Sequence, residues 1–154
     1  MGQTTFSGPV RSERGFTAVG SNAVVNITAE TTLTYADHVG RIIEINDADG
    51  AVTLPSITSD TIGAKYTFFV GTDATDLDIK TDGTDKFLGS VSVIGTTTAG
   101  FVPGATNDVI SMNGGTTGGD KGSYVEVTAL ATAEYLVQGV LVGAGTVATP
   151  FADS

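Results

Sequence analysis

The sequence contains no cysteine and no tryptophan, and only seven of its 154 residues are lysine or arginine. The lack of cysteine excludes disulfide bonds and thiolate metal sites. Seventeen acidic residues against these seven basic ones give a formal net charge of −10. A chain of that sign repels the phosphates of nucleic acids and of anionic lipid surfaces. We therefore expect neither nucleic acid nor membrane as a partner.

Long hydrophobic runs are also missing. A membrane-spanning helix needs about 18 or more consecutive apolar residues. The longest candidate, around Tyr135 to Val142, has the length of a strand and is interrupted by Gln138 and Gly139. The first fifteen residues contain no apolar segment of the kind found in secretory signals. The sequence thus predicts neither a membrane span nor a secretory leader.

Glycine and threonine are abundant, with 21 and 25 copies. Both residue types disfavour helix interiors, and threonine favours strands. Hydrophobic residues make up 40% of the chain, which is enough to form a core. This composition argues against a helical bundle and against intrinsic disorder, and it favours a β-rich folded domain.

Nine short apolar or alternating runs, separated by turn residues, predict strands. In the run 76–80, Leu77 and Ile79 should face the core, and Val125 and Val127 should do so in the run 124–129. Asp49-Gly50 between two such runs predicts a β-hairpin. The nine predicted strands are 23–28, 41–46, 51–54, 64–70, 76–80, 90–94, 108–112, 124–129 and 133–142.

Many short strands with glycine-rich turns and no convincing helix predict an all-β fold. We expect a compact antiparallel β-sandwich or β-barrel, of a jelly-roll or β-tulip-like kind, forming a single β domain over residues 21–154. Residues 1–20 differ from the rest because they contain Gly8-Pro9 and no sustained periodicity. This segment is predicted to be an extended N-terminal arm.

Two glycine-rich segments superficially resemble nucleotide-binding loops. Gly143 to Ala148 matches a dinucleotide fingerprint, but only six residues follow it, which leaves no room for the required helix. In the segment Gly114 to Ser123, Asp120 precedes Lys121 and Gly122 follows it, so the Gly-Lys-Ser/Thr order of a phosphate loop is absent. We predict a mobile hairpin loop there and no nucleotide cofactor.

The acidic loops and the single histidine give no clear catalytic or metal signature. The loop 46–50 lacks the downstream bidentate glutamate of an EF-hand, and Asp76 and Asp78 are predicted on the solvent side of a strand. His38 has no marked nucleophile to activate, and Asp37 beside it would point away in an extended segment. We expect no catalytic residues, no cofactor and no metal site, and hence a protein that is not an enzyme.

Several segments together resemble the small head proteins of tailed bacteriophages, in particular capsid decoration or cement proteins. The segments cover about half of the chain and carry no catalytic signature. They are Thr4 to Ser12 with Gly15-Phe16, Gly40 to Ile43, Thr53 to Pro55, Gly63 to Tyr66, Phe68 to Val70, Asp82 to Lys86, and Gly89-Ser90.

The resemblance implies a structural virion protein, made in the host cytoplasm and located on the outer surface of the capsid. Proteins of this kind form β-rich homotrimers, bind the major capsid protein lattice and stabilise the head. It further implies an N-terminal capsid-binding arm, with Phe6 and Phe16 as apolar anchors and Arg11, Glu13 and Arg14 as charged contacts. The implied arm residues are Thr4, Thr5, Phe6, Ser7, Gly8, Pro9, Val10, Arg11, Glu13, Arg14 and Phe16.

Two other functions remain open at this point. A receptor-binding or fibre-tip domain of a virion would also be β-rich and trimeric. A carbohydrate-binding β-sandwich would display an exposed row of aromatic side chains. All three share the expectation that the protein works through its surface.

Overall fold

A computed structural model describes Gly20 and residues 23–154 of the chain. This part contains twelve strands and one short helix, α1, which consists of Tyr35–His38. No helix in it has the length and apolar character needed to cross a membrane. The strands are β1 Val24–Ile27, β2 Thr31–Thr32, β3 Ile42–Ile45, β4 Ala51–Thr53, β5 Lys65–Val70, β6 Leu77–Lys80, β7 Lys86–Ile94, β8 Thr98–Phe101, β9 Val109–Met112, β10 Tyr124–Ala131, β11 Glu134–Val142 and β12 Phe151–Ala152.

The all-β prediction is confirmed, and each of the nine predicted strands overlaps an observed one. Leu77 and Ile79 are fully buried, as the alternation in β6 predicted, and Val125 and Val127 are buried in β10. The three strands that sequence reasoning missed are β2, β8 and β12. Two of these have only two residues, and β8 has the glycine- and threonine-rich composition of a turn.

The strands form two sheets. The larger sheet has seven strands in the order β1-β3-β5-β10-β11-β7-β8, and the smaller has five in the order β12-β9-β6-β4-β2. Five of the ten strand pairings are antiparallel, and the other five are parallel. The expectation of an antiparallel fold is therefore wrong for half of the pairings.

Four of the five parallel pairings arise because the first six strands alternate between the sheets; the fifth joins β7 to β11. Strands β1, β3 and β5 are neighbours in the larger sheet, and β2, β4 and β6 are neighbours in the smaller one. Each time the chain returns to a sheet, the new strand lies next to the previous strand of that sheet and runs parallel to it. As a result Ile27, Ile45 and Val70 lie side by side on successive strands. Such a row of buried apolar residues suits parallel strands.

The hairpin predicted at Asp49-Gly50 is wrong for the same reason. Strands β3 and β4 on either side of this turn belong to different sheets. The backbone of this turn instead bonds to the segment at β6. Thr75 N–H donates to Ala48 O at 2.7 Å, and Asp78 N–H donates to Gly50 O at 3.0 Å. Asp-Gly favours a turn, but tertiary pairing decides which strand the turn leads to.

Buried side chains from both sheets belong to one hydrophobic cluster. The largest of them, Tyr66 and Phe68 in β5 and Tyr135 in β11, are almost inaccessible to solvent. Tyr135 keeps its hydroxyl bonded, because it donates to Pro55 O at 2.6 Å. Burial, with a smaller effect of Tyr35, raises the pKa of Tyr66 to about 12. These phenols thus act as neutral packing residues.

The glycine-rich segment 113–123 is closely packed and leads from β9 in the smaller sheet to β10 in the larger one. The prediction of a hairpin loop there is wrong, because the strands on either side belong to different sheets. A β-bridge joins Gly115 to Gly118. Gly118 has a φ of +79°, and a Cβ atom on it would lie 2.5 Å from the Cβ of Leu141. Gly118 therefore allows the segment to pack closely against β11.

Two glycines of the larger sheet provide a test of this packing. A Cβ on Gly139 in β11 would lie 2.3 Å from Tyr124 O, whereas a Cβ on Gly100 in β8 would meet no atom within 4 Å. We predict that Gly139→Ala lowers the free energy of unfolding by about 3 kcal/mol, because backbone cannot move aside as a side chain can. Gly100→Ala should change it by less than about 1 kcal/mol. Urea unfolding followed by circular dichroism measures both, and equal effects would contradict the packing described.

Candidate interaction surface

An apolar groove crosses the outer face of the larger sheet. Its volume is about 350 Å³, and four strands, β1, β3, β5 and β10, form it. Three of its apolar residues are substantially exposed, at 40% for Val24, 47% for Ile42 and 39% for Tyr124. The residues lining this groove, which we call the β1–β5 groove, are Val24, Ile42, Glu44, Thr67, Phe69 and Tyr124.

The strand alternation explains how the groove forms. In β3, Ile43 and Ile45 are fully buried, so Ile42 and Glu44 point to the outer side. Strand β3 therefore has an isoleucine on each side, whereas a strand with one solvated face normally has polar outward residues. Apolar residues on the outer side of a sheet mark a surface that gains free energy when something covers it.

The strand register places the lining residues in two adjacent rows. Val24, Ile42 and Thr67 are direct neighbours on β1, β3 and β5. Two positions further along, Glu44 is next to Phe69, and Phe69 is next to Tyr124. Neighbouring strands lie about 4.8 Å apart, so the side chains within a row contact each other. The groove thus combines an aliphatic row with an aromatic row.

A polar cluster borders the groove. Glu126 in β10 accepts hydrogen bonds from Lys65 Nζ at 2.9 Å and from Gln138 Nε2 at 2.8 Å. The Lys65 ammonium, with help from Gln138, holds the pKa of Glu126 below its ordinary value. Tyr124 also donates its hydroxyl to this carboxylate, at 3.4 Å. The charges beside the groove are therefore largely compensated within the sheet, in contrast to the net charge of the chain.

A second exposed apolar feature lies at the other end of the same sheet. Val102, directly after β8, is 72% exposed, more than any other large hydrophobic residue in the described part of the chain. The stretch from Gly95 to Thr106 contains no charged residue, and we call it the Val102 segment. In the strand order, β8 and β1 are at opposite ends of the sheet. The Val102 segment and the groove therefore lie on opposite flanks of the domain.

Hydrogen bonds to the C-terminal residues hold the base of the Val102 segment. Asn107 Nδ2 donates to Asp153 Oδ1 at 2.8 Å, and Thr106 Oγ1 donates to Asp153 Oδ2 at 3.1 Å. Asn107 also accepts a bond from Gly104 N–H at 2.6 Å. The segment is thus presented from a fixed base, which reduces the conformational entropy that a contact would cost.

Asp108 fixes the end of the chain at the same place. Its buried carboxylate accepts bonds from Lys86 Nζ at 2.6 Å and from Ser154 N–H at 2.8 Å. Burial disfavours the charged form, but the bonds from Lys86 and Ser154 outweigh that effect, so the pKa of Asp108 lies below its ordinary value. The ionised form of this carboxylate therefore stabilises the fold.

Two further acidic residues, Asp82 and Asp85, also bond to donors within the fold. Asp82 accepts bonds from Ser56 Oγ and from Thr84 N–H, and Asp85 accepts one from Ile57 N–H at 2.9 Å. Burial raises the pKa of Asp85. In residues 20 and 23–154, no three His, Asp or Glu side chains come close enough together to hold a metal ion. In the acidic loop 46–50, the side chain of Asn46 bonds to the side chains of Asn26 and Thr72.

His38 lies in the short helix α1. Its Nδ1 accepts the backbone N–H of Thr34 at 3.0 Å, and Thr34 Oγ1 in turn accepts the N–H of Asp37. Thr34 is the N-cap residue of this helix. The histidine and the threonine therefore satisfy backbone groups at the start of α1, and the N-cap role is one that threonine commonly has.

Asp108 permits a pH-dependent test of the C-terminal anchor. We predict that Asp108→Asn lowers the free energy of unfolding by about 2 kcal/mol at neutral pH, because charged hydrogen bonds are lost. Since folding lowers this pKa, the stabilisation is fully present above the ordinary carboxyl value of 3.8 and is lost as the pH falls through the folded-state value. Thermal unfolding of both proteins from pH 7 to pH 3 measures the difference. A difference that grows toward low pH would contradict the assignment.

The predicted arm residues Thr4 to Phe16 lie outside the described residues. What the structure adds is the pair of exposed apolar features, neither of which sequence reasoning identified. The signal for the groove was present, because Ile42 precedes Ile43 in a strand that otherwise alternates.

Comparison of the chain with protein family models, with curated proteins and with solved structures found no match.

Proposed function

We propose that this protein is a capsid decoration protein of a tailed bacteriophage. It binds the outer surface of the major capsid protein lattice, as a homotrimer, and stabilises the head. The segments quoted above that resemble phage head proteins support this proposal. The observation that carries it is the exposed apolar groove on a strongly acidic domain, since a protein with such a surface gains free energy by covering it.

The use of the buried carboxylates supports a structural rather than an enzymatic role. Asp85 and Asp108 are the most buried acidic residues, and each is bonded to backbone or side-chain donors of the fold itself. A general acid or base must instead reach a substrate. In this proposal the protein acts through contacts and rigidity and is not an enzyme.

A rigid body suits this role. We infer that the two sheets face each other as the layers of a β-sandwich, because their buried residues form one cluster. The parallel crossings between the sheets tie the two layers together in several places along the chain. A decoration protein of this shape transmits force between neighbouring capsid subunits without unfolding its own domain.

Residues 4–16 form the capsid-binding arm in this proposal. They contain Arg11, Arg14 and Glu13, a net charge of +1 in a chain of −10. Phe6 and Phe16 provide apolar anchors at either end. An extended segment loses conformational entropy when it binds, so one arm binds weakly. Three arms on one trimer raise the avidity by orders of magnitude, about 10²-fold or more.

Deletion of residues 1–16 tests the arm. We expect the truncated protein to keep its far-ultraviolet circular dichroism spectrum and its oligomeric mass, since β1 begins later, at Val24. Binding to expanded phage heads should fall at least 100-fold, measured by co-sedimentation. The full-length protein is the positive control, and unexpanded proheads show whether binding depends on the lattice.

Undiminished co-sedimentation of the truncated protein would rule out the arm. Electron microscopy of virions gives an independent result, because a decoration protein is present in many copies across the lattice. A few copies restricted to the tail would instead indicate a fibre-tip domain and would overturn the proposed function.

A further inference from the structure

We propose that the β1–β5 groove binds the Val102 segment of a second copy of this chain. Copies then join head to tail, and three of them close a ring. This inference rests on the self-association within the proposed function and deepens it, because it identifies the two surfaces in contact. The groove is the receiving surface and Val102, with Pro103 after it, is the inserted one.

The two surfaces are complementary in shape and polarity. The groove is a concavity whose lining is mainly aliphatic and aromatic. The Val102 segment is exposed and uncharged, and its most exposed large side chain is a valine. Pro103 restricts the backbone directly after Val102, so less conformational freedom is lost when the segment is inserted. Insertion covers both apolar surfaces in a single contact.

The net charge of the chain favours this choice of contact. Two copies that each carry −10 repel each other over most of their surfaces. Contact is least costly where charge is absent or compensated. The Val102 segment has no charged residue, and Glu44 is the one charged residue that lines the groove. The nearby Glu126 is neutralised by Lys65 within the same copy.

The two surfaces lie apart on the same sheet. The groove extends from β1 to β10 and the Val102 segment follows β8, so three to six strand spacings of about 4.8 Å, roughly 14 to 29 Å, separate them. A contact between two different surfaces is heterologous, and repeating it generates a closed ring when the rotation between copies closes. Closure at three copies, with a rotation of 120° between them, follows from the homotrimer of the proposed function. A two-fold dimer would instead make each of its contacts twice between the same two copies.

Charged substitutions at each surface test the contact. Light scattering should give the wild-type protein a mass near 47 kDa, three times the chain mass of 15.6 kDa. Ile42→Lys in the groove and Val102→Lys in the segment should each reduce it to the mass of one chain. Both residues are well exposed in the single chain, so the substitutions should leave the fold intact. Circular dichroism melting curves verify this.

Ile62→Lys is the matched control. Ile62 is 49% exposed, similar to Ile42, but it lies between β4 and β5, outside the groove lining and the Val102 segment. This variant changes the charge of the chain by the same amount and should keep the wild-type mass. A loss of assembly in all three variants would attribute the effect to charge alone and would overturn the proposed contact.

Mixing the two interface variants distinguishes a contact between the groove and the Val102 segment from a contact of either surface with itself. The Ile42→Lys chain keeps an intact Val102, and the Val102→Lys chain keeps an intact groove. An equimolar mixture should therefore form a species of two chains, detected by sedimentation velocity. Each variant alone should remain a single chain. If the mixture contains only single chains, or if either variant keeps the wild-type mass, the inference is wrong.

Co-sedimentation with expanded heads separates this inference from the proposed function. A wild-type protein that binds heads but has the mass of one chain would overturn the ring and leave the decoration role standing. A wild-type ring that dissociates as expected but never binds heads would support the contact and overturn the decoration role.

Discussion

The burial of one hydrophobic cluster, to which both sheets contribute, is the constraint on which the rest of the structure depends. It places Ile27, Ile45 and Val70 side by side on successive parallel strands. Later crossings add buried apolar residues to both sheets, such as Ile45 in β3 and Val52 in β4. This burial offsets the conformational entropy of ordering the chain. The glycine-rich link 113–123 belongs to the same arrangement, because its glycines allow backbone to approach the strands closely.

The outer face of the larger sheet is determined indirectly by that core. Once Ile43 and Ile45 are buried, strand alternation leaves Ile42 on the outer side, next to Val24. The resulting groove, of about 350 Å³, presents these apolar side chains on the outer side of the sheet. Its neighbours Lys65 and Glu126 pair with each other, which keeps this part of an acidic protein close to neutral. Surface apolarity and local charge compensation together make this face suited to association.

The buried polar groups belong to the scaffold. Asp108 binds Lys86 and the C-terminal Ser154, and Tyr135 bonds to the backbone at Pro55. Each of these groups satisfies a donor or acceptor that would otherwise be buried without a partner, which would cost about 1–3 kcal/mol. A neighbouring carboxylate, Asp153, accepts bonds from Thr106 and Asn107 and so holds the base of the Val102 segment.

The sequence by itself determined the all-β class and the position of nine strands, because both depend on residue type and on a period of two along the chain. It also determined which side of β6 and β10 is buried, as Leu77 and Val127 illustrate. Only the tertiary structure decided which strands pair. Asp49-Gly50 predicts a turn, but a turn can lead either to a hairpin partner in the same sheet or to a strand in the other sheet, and the dipeptide does not distinguish the two. Likewise, the groove unites residues from β1 to β10, up to 100 positions apart, and no local pattern encodes such a distant juxtaposition.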